Sequence, residues 1–394
     1  MMIINGISLV KLLMKILFLP GAYPHRDNHT DGIFIKRHAL AVSKFAQISV
    51  IYIDLKDNIN KLDVYTNEGI LEIIVHRKVN KGKITYKSLF FYLLDSYKAY
   101  RILTKKVGKP DLIHVNDLMT WPGMGIFVLY LNKIKGIPYI VTEHSSGYLE
   151  ESNIFNKRSF LVKKLILYTL NKAKHITIVS NKLKSSLIKC GAKNDFSVIY
   201  NVVPSGKSKI INENRKIKKI LHVSLLTQSK NIFGIIDAIN EIYNKRKDFE
   251  LHIIGDGLSR AKLEKMTNDY GLLNKVIFFH GLLLPEEVMN MMIDSDFHII
   301  NSQYETFSLV TAEALMCGIP VISTRCGGPE EFIDESNGLL ININDNSALI
   351  SAIEYMLDNY GKYKANFIME KAKCKFSPEI IGKELFETYK KVLY

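Results

Sequence analysis

The chain is expected to be an α/β protein of two doubly wound, parallel-sheet domains facing a cleft, and three observations carry that expectation. From Met14 onward, short apolar runs alternate with longer stretches of helical periodicity, the rhythm of parallel strands joined by helices that cover both sheet faces. The rhythm lapses across NVVPSGKSKIINENRKIKK, Asn201 to Lys219, and then restarts, which marks a domain boundary. At 394 residues the chain also exceeds the ~250–300 residues at which a single core stops growing.

The elements follow in order. Residues 1–13, MMIINGISLVKLL, lack the basic start and small-residue cleavage site of a signal peptide and read as an extension ahead of Met14. KILFL is a strand, the loop after it carries Gly21, Pro24 and Gly32, and IFIKRHALAVSKF is helical. Strands follow at ISVIYI, ILEIIV, DLIHV, PYIVT, HITIV and SVIY, with helical segments between most of them. After the lapse come strand ILHVS, a loop through Gln228, Ser229 and Lys230, helix NIFGIIDAINEIYNK, strand ELHIIG, the GDGLS turn, helix AKLEKMTNDYG, strand VIFFHG and helix PEEVMNMMIDS. DFHII and VIS then read as strands around a helix starting near Thr306 or Ser308 and stopped by Gly318 and Pro320. GGPEE, Gly327 to Glu331, reads as a glycine turn leading into a helix, and two further helices complete the tail. The expected domains are residues 14–203 and 204–375, with residues 376–394 a helix crossing back to the first.

Composition narrows the function. Hydrophobic residues make up 47% and charged residues 23%, with no apolar stretch long enough to span a bilayer. Cys190, Cys317, Cys326 and Cys374 are scattered, without metal-ligand spacing, which suits a reducing, cytoplasmic setting. The basic excess lies in the first half: residues 1–200 hold 30 Lys and Arg against 14 Asp and Glu, and the remainder 23 against 25. SLFFYLLDSYKAYRILTKK, preceded by Arg77, Lys78, Lys81, Lys83 and Lys87, mixes aromatics with cations, and KRSFLVKKLILYTLNKAK has six basic residues and no acid. Either helix alone reads equally as an ordinary surface helix. With the charge asymmetry they point to peripheral association with an anionic inner membrane face. A nucleic-acid binder would need aromatic platforms or a recognised module, and neither is present.

In open parallel sheets ligands gather at the carboxyl ends of strands. There lie Gly21, Gly32, His114, Asn116, Asp117, Glu143 and His144 in the first half, and Lys230, Gly255 and Glu305 in the second. YETFSLVTAEALMCGIP places Glu305 in a loop and Glu313 two turns into an otherwise apolar helix. A carboxylate on such a helix needs a hydrogen-bond partner, a ligand or a solvent edge. A helix-dipole role for Glu305 explains the pair as well as a functional one does. Lys230 precedes a helix N-terminus, a favourable place for phosphate, although most loop lysines are simply solvated. GDGLSR lacks the third glycine of a dinucleotide fingerprint.

In the second half, VIYNVVP, HVSLLTQSKN, LHIIGDGLSRAKLE, FHGLLLPEEV, SQYETFSLVTAEALMCGIPVIST and GGPEEFI resemble, in order, the nucleotide-sugar domain of glycosyltransferase family 4, retaining enzymes with the GT-B fold of two Rossmann-like domains. LFLPG, GIFIKRHALAV, DLIHVND, TEHSS and IVSNKLKSSL extend the resemblance over the first half. The resemblance implies transfer of a hexosyl or N-acetylhexosaminyl group from a nucleoside-diphosphate sugar to a hydroxyl acceptor, a lipid-linked or cell-surface polysaccharide precursor. It implies catalysis without a cofactor or metal, an acceptor-binding first domain with Gly21, Gly32 and Asn116 in its loops, and Gly255 in the donor domain. By the same resemblance Glu305 and His144 lie at the transferred sugar, the amides of Phe307, Ser308 and Leu309 at sugar and diphosphate, Glu313 at the ribose and Lys230 at the diphosphate. One departure stands out: Ser224 and Leu225 occupy the place of the family's usual Gly-Arg pair. The rival enzyme readings are a nucleotide-sugar epimerase or a phosphorylase on the same architecture.

Overall fold

The computed structural model describes residues 14–25, 28, 30–55, 59–78, 86–206, 208–209 and 215–394. The extension at residues 1–13, and Lys81 and Lys83 of the basic cluster, lie outside the described residues. The chain forms two compact units, Val203–Ser377 and the remainder, in which Pro378–Tyr394 joins Met1–Val202.

The first unit holds β1 (Lys15–Pro20), α1 (Ile33–Ser43), β2 (Gln47–Asp54), β3 (Lys61–Asn67), β4 (Ile70–His76), α2 (Tyr86–Val107), β5 (Leu112–Asn116), α3 (Gly123–Lys135) and β6 (Tyr139–Glu143). It continues through α4 (Ile154–Lys157), α5 (Phe160–Lys172), β7 (His175–Ile178), α6 (Asn181–Lys189) and β8 (Phe196–Val198). The second holds β9 (Lys218–Val223), α7 (Ile232–Lys245), β10 (Phe249–Ile254), α8 (Arg260–Asp269), β11 (Ile277–Gly281), α9 (Pro285–Ile293), β12 (Phe297–Ile300), α10 (Leu309–Met316), β13 (Val321–Thr324), β14 (Gly338–Ile341), α11 (Asn346–Asn359) and α12 (Ala365–Phe376). The chain ends in α13 (Pro378–Leu393), part of the first unit.

The first sheet runs β3-β4-β2-β1-β5-β6-β7-β8 and the second β11-β10-β9-β12-β13-β14. Every described strand pairing is parallel except β3 with β4. β3 departs from the all-parallel expectation, and its sequence explains why: KLDVYTN is exposed or half-exposed along its length, so it carries no apolar run to mark it. The central strands do. β5 and β6 are buried at every position, as a sheet covered on both faces requires. Helices supply the cover through apolar stripes: α7 buries Ile232, Ile235, Ile236, Ile239 and Ile242, spaced at the i, i+3, i+4 and i+7 intervals of one face. Each such side chain contributes about 1.5–3 kcal/mol on burial.

Three other expectations are corrected. GGPEE leads only into a four-residue 3₁₀ turn, Gly328–Glu331, held by the Glu330 carboxylate accepting from the Gly327 N–H at 2.9 Å. The tail holds three α-helices, α11 to α13, rather than two. α10 begins at Leu309 after Ser308, so Glu313 stands little more than one turn in, not two.

Candidate active site

In both units the sheet order reverses around a central strand: β1 lies between β2 and β5, and β9 between β10 and β12. Ligand crevices open at such switch points, outside the carboxyl ends of the strands. In the second unit the crevice is built by the strands themselves. β9 and β12 pair only at Phe297 with Ile220 and His298 with Leu221, then diverge. His222 fills the split: Nδ1 meets the Ile299 carbonyl at 2.8 Å and Nε2 meets Ser224 Oγ at 2.7 Å. Burial pulls this imidazole down to about 4, so at neutral pH it is uncharged, donating from Nδ1 and accepting at Nε2. Sequence reasoning passed over His222 because a single histidine in the apolar run ILHVS carries no signal of what it faces.

The loops leaving β9 and β12 meet above the split. The Gln303 N–H donates to the Ser229 carbonyl at 2.8 Å. Lys230 Nζ, from one loop, ion-pairs with Glu305 Oε1, from the other, and Ser302 Oγ donates to the same oxygen at 2.8 Å. Both charges are mostly buried, with Lys230 22% and Glu305 12% exposed at the side chain. The backbone of Glu305 is pinned as well, its N–H bonded to the Cys326 carbonyl at 2.8 Å and its carbonyl to the Gly328 N–H at 3.1 Å. Ser302 reads from sequence as part of a turn; that it holds the carboxylate is visible only in the fold.

Two helix N-termini start beside this pair. α7 starts after Asn231 and α10 after Ser308, and both residues hold left-handed backbone, φ 47° and 70°. Neither side chain caps its helix; the Ser308 hydroxyl turns to Thr311 Oγ1 at 2.7 Å instead. Non-glycine residues in this conformation cost about 1–3 kcal/mol and concentrate at functional sites. Helix N–H groups without a side-chain cap, at the positive end of the dipole, form an anion site. Phe307 is buried, packed 5.4 Å from Phe332 and 5.5 Å from Phe376, so its ring anchors the loop. Glu313 is half-buried on α10 and, after burial, is the second cause that pushes the Cys317 thiol up to about 12.

The rest of the crevice wall is backbone. Gly255 has φ 130°, its N–H donates to the Gly281 carbonyl at 2.8 Å, and a Cβ there would lie 1.8 Å from the Ser224 carbonyl oxygen; only glycine permits that approach. Leu225 is 62% exposed.

The first unit closes its switch point differently. β1 and β5 stay paired to their last residues, Pro20 with Asn116, and the Gly21 N–H donates to the Asn116 carbonyl at 2.7 Å. Asn116 is fully buried. Gly32, at φ 67°, begins α1, where a Cβ would meet the Ala22 carbonyl at 2.2 Å. His114 is structural, bonded to Tyr389 Oη of α13 at 2.7 Å and Thr142 Oγ1 at 2.5 Å. Glu143, fully buried, accepts from Tyr148 Oη at 2.8 Å, and burial followed by the charge of Asp117 raises it well above the carboxylate range.

His144 stands at the carboxyl end of β6, 7% exposed, its ring 4.7 Å from Phe34 and 5.5 Å from His38. Neither nitrogen makes a hydrogen bond of normal geometry among the described residues, although Asn201 lies close enough to favour the protonated form slightly. Burial, then His38 and His114, hold it well below the usual imidazole range. A buried imidazole with open nitrogens is a costly arrangement that a ligand would relieve. His38, a neighbour the sequence did not single out, sits on the inner face of α1.

Known proteins are similar to this chain in sequence and in architecture. The family model described as glycosyl transferases group 1 matches residues 206–373, and that described as glycosyltransferase family 4 matches residues 58–206. An uncharacterised glycosyltransferase of Methanocaldococcus jannaschii is 31% identical over 307 residues, covering 78% of this chain and 81% of that one. One component of human phosphatidylinositol N-acetylglucosaminyltransferase is 28% identical over 276 residues, covering 69% of this chain and 54% of that one. Among solved structures, Anabaena HepE in complex with UDP and glucose superposes with a TM-score of 0.71 at 17% identity, over 96% of this chain and 100% of that one.

Proposed function

The chain belongs to glycosyltransferase family 4, enzymes that transfer a sugar from a nucleotide-sugar donor, and on that premise we propose that the second unit binds the donor through Lys230, Glu305 and the N-termini of α7 and α10. The observation that carries this reading is the Lys230–Glu305 ion pair between two helix N-termini that lack side-chain caps. A diphosphate arriving there meets one cation and two dipole ends. Lys230 then turns from the carboxylate to the phosphate, and Glu305, still held by Ser302, is left to accept from sugar hydroxyls. Glu313 binds the ribose, the Phe307, Ser308 and Leu309 amides face sugar and diphosphate, and Gly255 keeps the crevice wall close.

Transfer breaks the bond from the anomeric carbon to the diphosphate, and the electron pair leaves with the phosphate. The acceptor oxygen attacks from the same face, and its proton passes to the leaving phosphate oxygen. The residues' task is to stabilise charge that grows on the diphosphate and on the oxocarbenium-like sugar. His144, neutral at pH 7, is suited to a hydrogen bond with the sugar.

The acceptor reading is a lipid-linked or cell-surface polysaccharide precursor. It is supported by the human relative, whose name specifies phosphatidylinositol, and by α5. There Phe160 and Leu161 are 73% and 75% exposed on a helix bearing Lys163 and Lys164, apolar side chains beside cations as an anionic bilayer face demands. Among the described residues no helix is long and apolar enough to cross a membrane. Arg77 adds nothing to this surface, being paired with Asp95 at 2.5 and 2.7 Å.

A panel of UDP-, GDP- and ADP-sugars with membrane lipid extract tests the reading through nucleotide release. One donor class should be turned over by the wild type and not by Glu305→Ala. Turnover unchanged in that variant, or release that needs no acceptor, would sink it, the latter in favour of an epimerase or phosphorylase. Sedimentation with anionic but not neutral vesicles, lost in Phe160→Glu and at high salt, tests the membrane contact.

A further inference from the structure

Among the described residues, one cluster away from these groups brings metal-ligating atoms together. His25 lies in the loop after β1, Asp54 ends β2 and His76 ends β4, and the sheet register sets Asp54 beside His76. One ligand atom from each, two imidazole nitrogens and a carboxylate oxygen, lie within 4.8 Å of one another. We propose that His25, Asp54 and His76 form a site for a divalent first-row transition metal of the zinc class, which clips the loop after β1 to the ends of β2 and β4.

The distances suit ligand atoms gathered around one metal. His25 Nε2 is 3.3 Å from Asp54 Oδ2, long for a charge-assisted hydrogen bond of about 2.7–2.9 Å. His76 Nδ1 stands 3.9 Å from the same oxygen, beyond hydrogen-bond reach. Ligand atoms held at about 2.0–2.1 Å by a tetrahedral metal are roughly 3.3 Å apart, so the His25–Asp54 separation already matches and the His76 ring has to draw in to complete the set. All three side chains are 7% exposed or less.

A second feature points the same way. The other nitrogen of His76, Nε2, faces Asp63 Oδ2 of β3 at 3.5 Å. Metal-ligating histidines typically present their far nitrogen to a carboxylate, which fixes the ring and raises its basicity. His25 and His76 also line a cavity of about 490 Å³ with Lys36, Asp63 and Glu72, which leaves room for water as a fourth ligand. Two imidazoles and one carboxylate suit zinc, whereas magnesium and calcium prefer an all-oxygen shell. The role is structural, independent of the transfer reading and of the expectation that transfer needs no metal.

The test uses the full chain, stripped with chelator, dialysed and titrated separately with Zn²⁺ by calorimetry and Co²⁺ by visible absorption. About one equivalent should bind, Co²⁺ should give the intense band of a tetrahedral site, and Zn²⁺ at a hundredfold over its Kd should raise Tm by roughly 5–10 °C. His76→Gln and Asp54→Asn should lose the band and the shift. Asp63→Asn, which spares all three ligands, should bind roughly 10–100-fold more weakly, which keeps the test decisive where a ligand variant fails to fold. His280→Gln, in the histidine pair of the second unit, should behave as wild type. Failure of the wild type to bind a stoichiometric metal, wild-type binding by both ligand variants or by Asp63→Asn, or loss of binding in His280→Gln would overturn the proposal.

Discussion

The two units use one topology and treat its switch point in opposite ways. In the first, β1 and β5 are paired to their ends and a backbone hydrogen bond from Gly21 to Asn116 closes the gap. In the second, β9 and β12 part after two residue pairs, and the gap is spanned by side chains: His222 within it and the Lys230–Glu305 pair above it. Backbone closure joins the strand ends without a charge pair between them. Side-chain closure leaves an ion pair across the gap, and on the donor reading proposed above its groups exchange partners when an anion arrives. At the carboxyl end of β6 the first unit holds the neutral, buried His144, whereas above its split the second holds a compensated charge pair.

The contrast would break most visibly at Lys230. Lys230→Ala removes the cation from Glu305 and, on the proposed donor reading, from the incoming diphosphate, and is expected to lower kcat/KM about 10²–10³-fold, the range for loss of one group stabilising developing charge. Because Glu305 and Lys230 act as a unit, Lys230→Ala with Glu305→Ala should cost less than the sum of the single losses, measured as a double-mutant cycle. His144→Ala, which removes a neutral donor, should cost less than Lys230→Ala, with its effect in kcat more than in donor KM. An equal loss at the two positions would erase the distinction between the units.

The second largest effect concerns stability. Gly255→Ala drives a Cβ against the Ser224 carbonyl oxygen at a positive φ and should destabilise the second unit by about 1–3 kcal/mol or more, read as a lowered midpoint in denaturant. Acid should act on both units alike. Burial holds His38 and His222 down to about 4 and His298 to about 3. These rings stay neutral in the folded chain while the unfolded chain protonates near 6.5. Their contribution is therefore complete above about pH 6.5 and is lost as pH falls from there towards about 4, or about 3 for His298, by about 3 kcal/mol or more for each ring. Urea unfolding at about pH 7.5, 6 and 5 measures it, and stability flat across that range would show that the rings are not buried neutral.

The smallest expected change is a gain. Leu225 stands exposed in the place where the family resemblance leads one to expect an arginine, so Leu225→Arg should leave Tm within about 1 °C and tighten donor binding about 2–10-fold, seen as a lower donor KM. No change would mean that the two helix N-termini already supply what the guanidinium would add.

How legible these features were depended on how local their cause is. The strand and helix alternation was readable because burial on both faces makes continuous apolar runs and burial on one makes helical stripes, as in β5 and α7. β3 was hidden because neither face of KLDVYTN is buried. The helix expected at GGPEE ended as one 3₁₀ turn, and Ser308, at the expected helix start, holds a left-handed backbone while its hydroxyl bonds Thr311 rather than a helix N–H. In each case a loop conformation imposed from outside overrode local preference.

The amino-acid sequence by itself determined the fold class, the family and which residues stand at the ends of strands, because periodicity and motif spacing are carried by neighbours in the chain. Only the tertiary structure decided that Lys230 and Glu305, 75 residues apart, share one ion pair, that His222 plugs the split beneath them, and that His25, Asp54 and His76 converge. Those meetings depend on sheet order and on where two strands stop pairing, and these are set by the packing of whole elements rather than by any single stretch of residues.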